Sequence, residues 1–127
     1  MNRDDQLTEA QERTETMTEP EFDGLGYPTE RTLQVIERWP AEDVSGCLDF
    51  MIKGWYEPGA SFELLRPEEL AIVGWTEGKR YVRFATGGWS GNEDLIRALR
   101  RNRLINAQAW CLTARGGLHI YQRPTTS

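Results

Sequence analysis

The residues with the strongest claim to chemistry are gathered in Thr86-Gly87-Gly88-Trp89-Ser90-Gly91-Asn92-Glu93. A strand-like run, Tyr81 to Ala85, leads into this stretch, and a helix-like run, Leu95 to Arg103, leads out of it. Paired glycines at such a junction allow backbone angles that other residues resist, so a strand can turn sharply into a helix. Amides left open at a helix N-terminus make a ready anion site. Gly87, Gly88, Ser90, Gly91 and Asn92 would form the cradle, and Arg83, Arg97 or Arg115 could close on a phosphate with paired donors. Two features oppose that use. Ser90 and Glu93 have capping-box spacing, in which the serine hydroxyl accepts from the Glu93 amide and the carboxylate reaches back. Glu93 and Asp94 also place negative charge at the positive end of the helix dipole. Neither a phosphate-loop lysine nor the dinucleotide-binding glycine spacing is present. Trp89, at a glycine-flanked corner, is the tryptophan expected to be exposed and to anchor a partner.

Other catalytic constellations do not assemble. His119 is the single histidine, so a zinc site would need it together with the distant Cys47 and Cys111 and some carboxylates. No metal and no cofactor is expected. Both cysteines lie in apolar patterns and read as buried thiols in a reducing compartment. A serine engaged in capping, with no base near it in sequence, is a poor nucleophile. Glu68-Glu69 and Glu93-Asp94 are ordinary acidic pairs for solvated helix starts, and a non-enzymatic role is the better reading.

The elements that must hold these residues can be read from composition and period. At 127 residues there is room for one domain with a modest core. No apolar run approaches the roughly 18 residues of a membrane span, and the start lacks a signal-like stretch, so a cytoplasmic protein is expected. The net charge of −5 is uneven: residues 1–23 carry eight acids and two arginines, leaving residues 24–127 near +1. An acidic tail on a near-neutral body gives no general nucleic-acid signature. Residues 1–24 have no apolar period and are expected to be disordered, residues 25–123 to form the domain, and 124–127 to be a disordered end.

Within the domain, Pro28 heads and Pro40 stops a short helix over Thr29 to Trp39. Asp43 is a plausible cap for a second helix, whose stripe Val44, Cys47, Leu48, Met51 and Trp55 has helical spacing. Gly46 in that helix costs about 1 kcal/mol unless something packs closely there. A short strand is possible at Phe62 to Leu65. Leu70–Trp75 and Arg80–Ala85 suggest a hairpin around Glu77-Gly78, pairing Val73 with Val82, Ala71 with Phe84 and Trp75 with Arg80. In the next helix Leu95, Ile96 and Leu99 face inward, while Arg97, Arg100 and Arg101 share the outer side. A three-residue loop, Arg115-Gly116-Gly117, then pairs Ala114 with Leu118 and Leu112 with Ile120, with Trp110 on the same apolar face. The expectation is an α+β fold: two helices, a hairpin, a capped helix and a hairpin, with one antiparallel sheet.

The run Phe84 to Glu93, followed by Trp110-Cys111 and Arg115-Gly116-Gly117, resembles a family of small bacteriophage-encoded proteins; Tyr27-Pro28-Thr29-Glu30 is similar as well. The likeness covers residues 27–122. It implies phage origin and action inside the cytoplasm of a bacterial host, and supplies no reaction. The expected function is a non-enzymatic binding module, an inhibitor that engages a host protein through Trp89, Arg97, Arg100 and Arg101. The alternative is a small anionic ligand, nucleotide-like or phosphate-bearing, held at the glycine loop. Convergence of Arg83 and Arg115 on that loop would favour the ligand. Nucleic-acid binding through the arginine helix is the weakest reading, and would show steep salt dependence.

Overall fold

A computed structural model describes residues 17–56, 60–62 and 80–124. Helix α1, Glu30–Glu37, begins where the Thr29 hydroxyl accepts from the Thr32 amide at 3.2 Å. Helix α2, Val44–Gly54, begins where the Asp43 carboxylate accepts from the Gly46 amide, also at 3.2 Å. The same carboxylate explains Gly46. A Cβ there would fall 2.0 Å from Asp43 Oδ2, so the close neighbour is the helix's own cap rather than another element. The predicted stripe is buried: Cys47, Leu48 and Met51 are fully enclosed and Val44 nearly so. Trp55, the C-cap, packs on Phe84 at 4.9 Å and donates its indole N–H to the Ala85 carbonyl.

Strands β1 (Ala60–Phe62), β2 (Arg80–Ala85), β3 (Trp110–Ala114) and β4 (Leu118–Arg123) form an antiparallel sheet in the order β1-β2-β4-β3. Val82 pairs with Phe62 on one edge and Tyr121 on the other; Phe84 pairs with Ala60 and His119. Both edges of these residues are filled, which corrects the expected pairing of Val73 with Val82 and of Ala71 with Phe84. The strand expected at Leu70–Trp75 and the Glu77-Gly78 turn lie outside the described residues. The β3–β4 hairpin has the predicted register, Ala114 opposite Leu118 and Leu112 opposite Ile120. Gly116 (φ 86°) and Gly117 (φ 77°) both occupy the left-handed region in its turn.

Helix α3, Ser90–Arg101, and helix α4, Arg103–Ala109, complete the layer over the sheet. Val82, Phe84 and Tyr121, on one sheet face by strand alternation, join Ile36, Leu48, Met51, Leu95, Leu99 and Ile105 in the core. The helix expected to run to Arg103 ends at Arg101, and α4, which period alone does not signal, begins at Arg103. Asn102 separates the two: its backbone leaves helical angles (φ −78°, ψ 86°), and its side chain caps α4 by accepting from the Ile105 amide.

The structured part begins earlier than composition suggests. Met17 is buried, and a Cβ on Gly54 would meet Pro20 Cγ at 2.9 Å. Glu21 exchanges hydrogen bonds with the Thr32 hydroxyl, its amide donating at 2.8 Å and its carbonyl accepting at 3.0 Å. Residues 17–24 are thus seated on the helices; residues 1–16 and 125–127 lie outside the described residues.

Candidate functional site

At the turn into α3, Gly87 (φ 62°) and Gly88 (φ 76°) adopt left-handed angles, and the Trp89 amide donates back to the Thr86 carbonyl at 3.0 Å. This closes the corner one residue early. The helix is capped at Trp89, with no side-chain capping bond, and Ser90 is its first residue. The Glu93 amide bonds to the Trp89 carbonyl at 3.1 Å. That bond takes the donor the Ser90 hydroxyl would have used, so the expected capping box does not form.

Asn92 has a different job from the one expected. Only 2% exposed, it accepts from the Tyr56 amide at 2.9 Å and donates to the carbonyls of Tyr56 and Thr86 at 3.2 Å each. It staples the chain beyond α2 to the glycine corner, leaving no amide group for a ligand. Trp89 is not a free anchor either. Its ring stacks on Tyr27 at 4.9 Å and tilts against Tyr56 at 5.6 Å. A Cβ on Gly91 would fall 2.4 Å from its indole nitrogen, so Gly91 is the space into which the ring folds. Of these three aromatics, Tyr56 is the one chiefly open to solvent.

The arginines part company. Arg83 lies mid-strand in β2, between Ser61 and Ile120, and Arg115 sits exposed in the β3–β4 turn. Neither is among the residues that line the cleft formed by the other three arginines. Arg97, Arg100 and Arg101 do converge, on a different feature. With Thr86, Glu93, Ile96, Gly117 and His119 they line an open cleft of about 460 Å³ between α3 and the start of β4. Arg97 pairs with Asp94 at 3.1 Å. Among the described residues no carboxylate lies within ion-pair distance of Arg100 or Arg101.

His119, considered from the sequence only as a zinc ligand too isolated to serve, is 6% exposed at this cleft. Burial, and then the nearby Arg100 charge, hold its imidazole below the ordinary histidine range. Its Nδ1 lies 3.1 Å from Thr113 Oγ1, which in turn accepts from the Trp110 indole N–H at 2.8 Å. A hydroxyl that accepts from an indole still has its own proton to give, so Thr113 can donate to Nδ1 and leave the imidazole proton on Nε2. Trp110 itself departs from expectation. An irregularity between Trp110 and Leu112 sets it opposite Tyr121, and it is 47% exposed instead of packed in the core.

His119 also sets a pH dependence. With its folded pKa below the ordinary 6.5, the unfolded chain binds more protons, so stability is full above pH ~6.5 and falls as acidification protonates the unfolded state first. Urea unfolding at about pH 5.5 and about pH 7.5 should show lower stability at the acid value. Because this is the single histidine, His119→Gln should flatten that difference. An unchanged difference in the variant would exclude His119 as its source.

Cys47 is buried, and burial with the Asp43 charge pushes its thiol up to about 12, far from a nucleophile at neutral pH. Among the described residues no cluster of three or more His, Cys, Asp or Glu could hold a metal ion. None of the described helices is long and apolar enough to cross a membrane. A second cleft of about 420 Å³, between α2 and residues 17–18, is largely apolar and contains none of the candidate binding residues named from the sequence. No protein-family model, curated protein or solved structure matches this chain.

Proposed function

We propose that the protein is a non-enzymatic binding domain of phage origin that captures a phosphate-bearing ligand in the cytoplasm of a bacterial host. Its site is the cleft between α3 and β4, not the glycine loop. The observation that carries this reading is the pair Arg100 and Arg101, unmatched by carboxylates among the described residues and opening on a cleft shared with a buried histidine. Paired guanidinium donors suit phosphate oxygens. The cleft volume falls in the range typical of small-ligand sites.

A second reading, engagement of a host protein, rests on a separate surface. Phe22, Leu25 and Tyr56 are exposed large side chains, and Tyr56 borders the Trp89–Tyr27 stack. One measurement separates the two: native mass spectrometry of the protein purified from bacterial cells. A small bound mass that disappears in Arg100→Ala/Arg101→Ala supports the cleft. A bound polypeptide that disappears in Leu25→Ser/Tyr56→Ser supports the aromatic surface. Protein that emerges bare in every case sinks both.

A further inference from the structure

His119, in the wall of the arginine cleft, is also tied to a neighbouring aromatic. From His119 Nδ1 the contact passes to Thr113 Oγ1 and on to the Trp110 indole N–H, so the indole stands two hydrogen bonds from the cleft wall. The register continues this direction. Gly117 and Thr86 are bonded to each other at one end of the cleft, His119 lies further along β4, and Trp110 is opposite Tyr121, further still. Trp110 is nearly half exposed, and its bond to Thr113 fixes the ring instead of leaving it to swing. A half-exposed aromatic ring, tied by two hydrogen bonds to the wall of a cleft whose Arg100 and Arg101 have no carboxylate partner among the described residues, suits a ligand with both a flat π system and an anion.

We propose that the ligand is a nucleoside phosphate, its phosphate held by Arg100 and Arg101 and its base stacked on Trp110. The inference rests on the phosphate-binding reading of the cleft. Charge matches: a phosphate monoester carries about −1.5 to −2 at neutral pH, and two arginines supply the complement. Glu93 also lines the cleft, but it precedes Arg100 by seven residues, roughly 10 Å along the helix axis at about 1.5 Å per residue. Its carboxylate therefore stands at the end away from Trp110, where it repels a phosphate and confines it to the arginine end. Stacking on an indole accepts any base, because every base has a π face. Arg97, held by Asp94, borders the site without being needed to neutralise the phosphate.

The test is calorimetric titration of the full chain with ribose 5-phosphate and with adenosine 5′-monophosphate, which share a sugar phosphate and differ in the base. Base stacking should make the nucleotide bind roughly tenfold more tightly. That ratio should fall toward one in Trp110→Ala and persist in Trp110→Phe, which keeps an aromatic face but loses the indole N–H. Equal affinities in the parent chain overturn the base site while leaving phosphate capture standing. A ratio that survives Trp110→Ala, or is lost in both variants, overturns stacking on Trp110. If neither compound binds, phosphate capture fails and this inference fails with it.

Discussion

Asn102→Ala should destabilise the fold by about 3 kcal/mol, more than a typical substitution. Its side chain is 6% exposed and holds three distant or orphaned backbone groups at once. Nδ2 donates to the Ile36 and Trp39 carbonyls, both at 3.0 Å, and Oδ1 accepts from the Ile105 amide at 3.2 Å. Truncation leaves the end of α1 and the start of α4 with unmet hydrogen-bonding groups. Each buried group left unmade costs about 1–3 kcal/mol, and loss of a helix cap about 1 kcal/mol. Water can reach part of the Trp39 bond, which keeps the sum near the lower bound. Urea unfolding should show a lower midpoint with an unchanged slope, since the surface exposed on unfolding stays the same. Asn102→Asp keeps the acceptor for Ile105 but points a carboxylate at two carbonyl oxygens, so it should cost at least as much. A loss under about 1 kcal/mol for the alanine variant would mean that this clamp is not what joins α1 to α4.

Gly117→Ala should cost a similar amount through a different mechanism. Its φ of 77° lies in the left-handed region, where an L-residue is disfavoured by roughly 1–2 kcal/mol. The added Cβ would also fall 2.0 Å from Thr86 Oγ1 and 3.1 Å from Thr86 Cβ. Thr86 cannot simply retreat: it is 3% exposed and its amide donates to the Gly117 carbonyl at 3.0 Å. A combined loss of about 3 kcal/mol is expected. Thr86→Ala in the same chain removes the oxygen clash but not the backbone strain. A double-mutant cycle should therefore show the second change recovering about half of the loss. Strict additivity would exclude the Thr86 contact as a cause.

What could be read from the sequence follows from how local each signal is. The α2 stripe was legible because helical spacing alone buries Val44, Cys47, Leu48 and Met51. The β3–β4 register was legible because Arg115-Gly116-Gly117 selects the loop length. The neighbours of β2 were not, since β1 is three residues long and β4 is reached only after two helices. Helix α4 was hidden because Asn102 sits in an arginine-rich run, where a cap looks like one more polar surface residue. The arginine face of α3 could be read from period, but its cleft could not: His119 joins it only through the strand order. Trp110 was misplaced for want of any sequence sign of the bulge.

Two asparagines, Asn92 within α3 and Asn102 just past it, govern how the arginines would meet the proposed ligand. Asn92 fastens one end of the helix to Tyr56 and Thr86, and Asn102 fastens the residue just past the other end to Ile36 and Trp39. Leu95 and Leu99 anchor the turns between them. The backbone carrying Arg97, Arg100 and Arg101 is thus ordered before any encounter. Binding at the proposed cleft would then ask of α3 only that side-chain rotamers freeze, about 0.5–1.5 kcal/mol for each long side chain. A guanidinium pair on such a rigid mount can discriminate by spacing as well as by charge, accepting oxygens at one separation and refusing those at another.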